Sequence, residues 1–349
     1  MLNYYNQKMK KIIFYNFSFI ALLVIVIELI FGYWFNENNF GIHMRKHRNQ
    51  HEIYEVKIND QNYKFVYRRN FYGFRGEEFT NLSRIKYVFL GGSTGNERFL
   101  PEDLTIVGKL NLKLKSNNYK NIHVYNASVD GKTLRGHAND FKHWFTKLDN
   151  FEPEYFIIYV GINDSVLGQD LKYDLTFGKK NYRKILDYLS NNSILVELLN
   201  KIIWKYSNSI KIKYEINNSD SIYENNFKYI NYVKAKKIYN IYELENKYPI
   251  LHQRYNQRLN DIIKQAYKFN SKIIFITQVK YNGLNDEKLF LLNEMTKKFS
   301  EINNIKVIKL DEIYNGEIND FYDPSHTSEQ GSDKISNIIF SEFIKIVSP

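Results

Sequence analysis

The chain has 349 residues, 44% of them hydrophobic, which suffices for a substantial core and excludes global disorder. It contains no cysteine, so disulfides, thiolate metal sites and cysteine nucleophiles are excluded together, and serine, histidine and carboxylates are left to carry any chemistry. The net charge of +11 comes from lysines scattered among Asn, Ile and Tyr along the whole chain; this is the pattern of a solvated basic surface, with no nucleic-acid motif beside it.

The first element is the apolar run from Ile12 to Trp34, IIFYNFSFIALLVIVIELIFGYW, close to the ~20 residues a helix needs to cross a bilayer. Its apolar residues surround the helix on all sides, and Tyr33 and Trp34 sit where an interfacial aromatic belt is expected. Glu28, in the last third, is the one charged residue of the run. The run is long for the apolar region of a secretory signal and no small-residue cleavage site follows it, so it reads as a retained transmembrane helix over 12–34. Lys8, Lys10 and Lys11 place residues 1–11 in the cytoplasm and the remainder outside; Arg45, Lys46 and Arg48 oppose that orientation, but long following domains cross regardless of such charges. The expected location is therefore a single-pass membrane protein with an extracytoplasmic main domain, periplasmic or at the cell surface.

Residues 35–84 form a juxtamembrane linker and an N-terminal extension. Within them, 52–69 alternate well enough for a hairpin turning at Asn59 to Gln61. The main domain spans 85–349. Its strands are short continuous apolar runs: Ile85 to Leu90, Ile122 to Tyr125, Tyr155 to Val160, Lys272 to Thr277 and Ile305 to Leu310. Helices are expected between them over Leu104 to Leu114, Gly136 to Leu148, Leu251 to Tyr267 and Glu287 to Ile302, with a last helix from Ser328 to Ile346. This alternation predicts a three-layer α/β/α fold around a parallel sheet covered on both faces. Ligands in such folds bind beyond the carboxyl ends of the strands.

The rhythm fails between 165 and 249, a stretch rich in Lys, Tyr and Asn with one amphipathic helix expected at Tyr182 to Tyr206 and a polar gap near Asn217 to Asn225. It reads as an insertion, either a cleft wall or lid or else a surface subdomain.

Four loops carry residue types suited to chemistry. After the first strand, Gly91-Gly92-Ser93-Thr94-Gly95 permits a sharp strand-to-helix turn and places Ser93 at a helix start, among backbone NH groups. No Gly-Lys of a phosphate loop follows. After the second strand, Gly131 in Asn-Ala-Ser-Val-Asp-Gly-Lys-Thr can offer an unhindered NH; after the third, the Asn163 amide in Gly-Ile-Asn-Asp can offer another. Before the last helix, Asp323-Pro-Ser-His326 sets a carboxylate three residues from an imidazole, close enough to hold its Nδ1 proton and direct Nε2 outward. Each loop alone is an ordinary turn or cap. All four lie on the same rim of the sheet, and that coincidence carries the reading.

In this order the four loops resemble the blocks of the SGNH hydrolase superfamily, also called GDSL-like. The resemblance implies a flavodoxin-like sheet, Ser93 as nucleophile, His326 as base with Asp323 behind it, and an oxyanion hole of Ser93, Gly131 and Asn163. No cofactor and no metal are implied. Gly92 departs from the usual Asp of the first block, as in many relatives that act on glycans. The upstream Arg69-Asn-Phe-Tyr-Gly73-Phe-Arg75-Gly string resembles a segment of membrane-anchored members, to brace the first strand or wall the cleft. The function implied is hydrolysis or transfer of acyl groups, acetyl foremost, on an acylated saccharide or polysaccharide outside the cell. The alternatives are a lipid esterase or thioesterase and a tethered, non-catalytic glycan-binding module.

Overall fold

A computed structural model describes residues 2–35, 44, 47–58, 61–79, 81–167, 192–196, 198–199, 202, 212–216 and 228–347. The chain divides into two compact units: residues 1–43 with 179–210, and residues 44–178 with 211–349.

In the first unit, helix α1 spans Leu2–Phe31. Its stretch Met9–Phe31 is long and apolar enough to cross a membrane. Ile12, Phe14, Phe19, Leu22 and Ile30 are all more than half exposed, as a helix facing hydrocarbon requires. The helix stops three residues short of the expected end, and Gly32 to Phe35 bend away. The helix expected at Tyr182 to Tyr206 lies mostly outside the described residues, as does the polar gap at Asn217 to Asn225.

The second unit holds two sheets. The larger consists of β3 (Tyr87–Gly91), β4 (Val124–Asn126), β5 (Tyr155–Tyr159), β7 (Lys272–Ile276) and β8 (Lys306–Ile308). All its neighbours are parallel, in the order β4-β3-β5-β7-β8. Counted along these five strands the order is 2-1-3-4-5, the flavodoxin-like arrangement, whose direction reverses between the first and third strands. Both faces are covered, which explains why the strands read as unbroken apolar runs. Phe89, Ile157, Tyr159, Ile274 and Ile276 face α3 (Ile106–Ser116) and α11 (Glu329–Val347) through Leu110, Leu114, Ile335, Ile339 and Phe343. On the opposite face lie α4 (Leu134–His143), α8 (Pro249–Tyr267) and α9 (Glu287–Ile302), and Phe141 meets Phe156 with ring centroids 4.5 Å apart. Each fully buried side chain of this size contributes about 1.5–3 kcal/mol. Helix starts are set by local chemistry, as where the Asp286 side chain accepts from the NH groups of Lys288 and Leu289 to begin α9.

The smaller sheet joins β1 (Gln50–Ile58), β2 (Gln61–Arg69) and β6 (Ile212–Ile216) in the order β2-β1-β6. The hairpin expected over 52–69 is present, with Ile58 opposite Gln61. The third strand was not anticipated: β6 arises from within the stretch 165–249 and pairs parallel to β1. Farther on, α6 (Tyr232–Ile238) and α7 (Ile241–Lys247) start at Asn231 and Asn240 caps. Ile230 bridges to Gly283, so this portion is part of the α/β unit. The inner face of the small sheet, Tyr54, Val56, Ile58 and Tyr67, packs with Leu100 and Tyr322.

Candidate active site

The rim where the order of strands reverses is built outward from β3. Beyond Gly91 the chain makes a single helical turn, α2 (Ser93–Asn96), which Glu97 closes in the left-handed region at φ 44°. The NH groups of Gly95 and Asn96 bond to the Gly92 carbonyl at 3.1 and 2.9 Å. The helix expected to begin at Ser93 is thus only one turn, and α3 is a separate element; a macrodipole contributes little from so short a turn.

The second loop is bound to this turn along its length. Ala127 and Val129 donate their NH groups to the carbonyls of Phe89 and Gly91 at 2.8 and 3.0 Å, extending the pairing of β3 beyond the end of β4. The Asn126 amide donates to the Gly95 carbonyl at 3.0 Å. Gly95 is where turn and loop come closest, since a Cβ there would lie 2.6 Å from the Ser128 hydroxyl. Gly131 follows with φ 75°, a left-handed conformation suited to glycine.

The third loop begins α5 (Ile162–Leu167). The Asn163 amide donates to the Lys132 carbonyl at 2.8 Å. It occupies the space a side chain at position 92 would fill: a Cβ on Gly92 would stand 2.2 Å from the Asn163 nitrogen. Next to it the fully buried Asp164 accepts from Arg258 at 2.6 Å and from the Leu134 NH at 3.0 Å. Ser93, Gly131 and Asn163 therefore lie on three adjoining loops, with Gly92 and Lys132 in contact between them.

The fourth loop folds on itself around Asp323. One carboxylate oxygen accepts the NH groups of Ser325 and His326 at 2.8 and 2.7 Å, and the other meets His326 Nδ1 at 2.6 Å. Burial alone would lower the His326 pKa, but Asp323, with Asp130 and Glu97 farther off, carries it above the ordinary 6.5. Burial would raise Asp323, and the imidazole and the two NH groups hold it below the usual 3.8. The Tyr322 ring lies nearly parallel to the imidazole, 5.8 Å between centroids at 7°. Among the described residues no hydrogen bond joins the Ser93 hydroxyl to the imidazole; the ring's bonds are to Asp323 and, at 3.4 Å, to the Ser325 hydroxyl. Such contacts are often loose without substrate.

Two residues outside the four motifs tie the loops together: Glu97, which sequence reasoning missed, and Arg69, which opens the string expected to brace the first strand or wall the cleft. Glu97, 2% exposed, accepts from the hydroxyl of Thr327, next to His326, at 2.7 Å, and also from the Ser332 hydroxyl and the Ile106 NH. Burial raises its pKa above 4.5 against the pull of those donors and Arg75. Arg69, 1% exposed, donates to the carbonyls of Ser128 (2.8 Å), Gly73 (2.6 Å) and His47 (3.1 Å) and to the Asn96 amide oxygen (3.3 Å). The other end of that amide donates to Asp130 at 2.7 Å. Arg75 bridges to Asn126, its NH donating to that carbonyl at 2.8 Å, and its guanidinium holds the Leu100 carbonyl at 2.6 Å. The Arg69 to Gly76 string thus braces the second loop and the Ser93 turn. The signal available beforehand was the resemblance of this string to a segment of membrane-anchored members. Among the described residues no group of three or more His, Asp or Glu side chains is placed to hold a metal ion.

A family model described as GDSL-like lipase/acylhydrolase matches residues 89–339, from within β3 to the last helix, so that all four loops fall inside the match. The chain belongs to this family. Three solved structures are among those similar to this chain. One is a lipolytic G-D-S-L protein from Veillonella parvula, at 14% identity and TM-score 0.43, covering 75% of this chain and 99% of that one. Another is a lipase/acylhydrolase from Enterococcus faecalis, at 13% identity and TM-score 0.43, covering 76% and 98%. A third is a catalytic mutant of an acetylxylan esterase from Geobacillus stearothermophilus, at 12% identity and TM-score 0.42, covering 76% and 94%. Comparison with curated proteins finds no match.

Proposed function

We propose that this GDSL-family protein is a membrane-anchored serine esterase that removes or transfers acyl groups, acetyl foremost, on an extracytoplasmic glycan. The observation that carries the reading is the tie between the serine turn and the histidine loop: Thr327 donates to Glu97, so the residue following His326 is bonded to the residue that closes the turn begun by Ser93.

Ser93 Oγ attacks the ester carbonyl while His326 Nε2 takes its proton, the Nδ1 proton being held by Asp323. The negative oxygen of the tetrahedral intermediate is met by the NH groups of Ser93 and Gly131 and by the Asn163 amide. One amide hydrogen of Asn163 is committed to Lys132, and an amide carries a second. Each donor is worth about 3 kcal/mol in the transition state. His326 then protonates the departing sugar oxygen, leaving an acyl-serine. Water attacks it in the hydrolase, a second sugar hydroxyl in the transferase.

The glycan assignment rests on Gly92 in the first block, on the apolar N-terminal helix, which would hold the catalytic unit at a membrane surface, and on partly exposed aromatics near the histidine loop, Tyr214 and Phe99, whose rings lie 4.6 Å apart. The test is acetate release from an acetylated oligosaccharide by the purified full-length chain, with acetyl transfer followed in parallel. Ser93→Ala is expected to abolish both. Undiminished turnover in that variant, or activity confined to long-chain lipid esters, would overturn the reading.

A further inference from the structure

Glu28 lies inside the apolar run of α1, three residues before the helix ends at Phe31, which puts its Cα about 4.5 Å from that end. A carboxylate at this depth of a bilayer needs partners. It has four. The Ser193 hydroxyl donates at 2.6 Å, the backbone NH groups of Leu195 and Ile194 at 3.1 and 3.2 Å, and the Trp34 indole NH at 3.0 Å. The Tyr33 NH also donates to the Asn192 carbonyl at 2.7 Å. Three of Glu28's donors thus come from a segment about 165 residues farther along the chain, in the same compact unit as the helix. Just beyond these donors, Leu198, Leu199 and Ile202 are 45%, 57% and 52% exposed, values like those of the span itself.

Resting on the proposal that α1 crosses the membrane, we infer that the described residues 192–196, 198–199 and 202 belong to a second membrane-embedded element, docked on the span through Glu28 and presenting Leu198, Leu199 and Ile202 to the lipid at the hydrocarbon boundary. Its occupant is the bilayer, because the docking carboxylate lies within the apolar length of the helix and its partners must share that depth. The side chain of Glu28 is then a docking device, an acceptor for hydroxyl, indole and backbone donors that replace the water it loses. The described residues of this segment accordingly belong with the anchor.

The absence of cysteine makes the test direct. The full-length chain carrying Leu22→Cys, Leu199→Cys or Lys298→Cys is labelled with bimane and reconstituted in phosphatidylcholine–phosphatidylglycerol vesicles containing nitroxide lipids. Position 22 reports the span, and position 298 is an exposed site of the catalytic unit. Strong quenching at 22 and 199 with none at 298 is expected. Adding Glu28→Leu should cut the quenching at 199 severalfold while that at 22 persists, and Glu28→Gln, which keeps an acceptor, should retain it. Quenching at 22 with 199 as unquenched as 298 overturns the inference alone, as does quenching at 199 that Glu28→Leu leaves untouched. No quenching at 22 overturns the membrane reading and the inference with it.

Discussion

Replacing Gly92 by alanine tests the oxyanion assignment without touching any of the three triad residues. The added Cβ would stand 2.2 Å from the Asn163 amide nitrogen and 3.3 Å from the Lys132 carbonyl. The first contact is with the end of a side chain, so the amide rotates away and the backbone stays. Position 92 has φ −79°, which any residue adopts, so no backbone strain accompanies the change. The stability lost is then that of one hydrogen bond, Asn163 to Lys132, about 1 kcal/mol. The catalytic loss is that of one oxyanion donor, about 3 kcal/mol or roughly 10²–10³ in kcat. The larger number falls on the rate, so Gly92→Ala should melt within a few degrees of the parent while kcat for p-nitrophenyl acetate drops at least a hundredfold and KM changes little. Because both changes remove the same donor, Gly92→Ala combined with Asn163→Ala should be no slower than Asn163→Ala alone. A kcat within twofold of the parent, or full additivity in the double variant, refutes the role given to Asn163.

Further outcomes follow from the same geometry. Because His326 must be neutral to act as base and Asp323 carries its pKa above 6.5, the acid limb of kcat/KM should lie above pH 6.5; Asp323→Asn leaves burial as the main influence, so that limb should move to lower pH while the maximum falls by about 10⁴. Arg69→Met strips donors from three carbonyls and the Asn96 amide, and urea titration should show a loss of roughly 3 kcal/mol or more; Arg69→Lys should recover only part, since an ammonium cannot fork as the guanidinium does. Asp164→Ala removes the carboxylate of a buried ion pair with Arg258 and should cost about 3–5 kcal/mol of unfolding free energy by the same method, whereas Lys298→Ala at the exposed surface should cost almost nothing.

The parallel sheet was legible because burial on both faces leaves each strand a continuous apolar run; β3, β4, β5, β7 and β8 lie within about two residues of the expected runs. The order of those strands could not be read from apolar runs alone, since it depends on which strands pair. The strand β6 escaped although IKYEI alternates, because it is only five residues long, lies at the edge of a three-stranded sheet and sits in a stretch rich in Lys, Tyr and Asn. The contact between Asp323 and His326 was legible because its spacing is local: the two are three residues apart, and the structure joins them at 2.6 Å. Glu97 and the bonding partners of Arg69 were not legible, because most of those partners lie far along the chain. Thr327 is 230 residues from Glu97, and Ser128 is 59 from Arg69. A buried guanidinium that bonds mainly to carbonyl oxygens leaves no complementary acidic residue in the sequence to announce it. The length of α2 was likewise hidden: a helix start at Ser93 was legible, but its close after one turn depends on the left-handed Glu97.

The central claim is that the hydroxyl at position 93 is activated by the imidazole at position 326. It is tested most directly by the rate and site of covalent labelling with a fluorophosphonate. A single adduct on the Ser93 peptide is expected, absent in Ser93→Ala and formed at least a hundredfold more slowly in His326→Ala, with all three proteins melting alike. An adduct on another residue, or an undiminished labelling rate in His326→Ala, would contradict it.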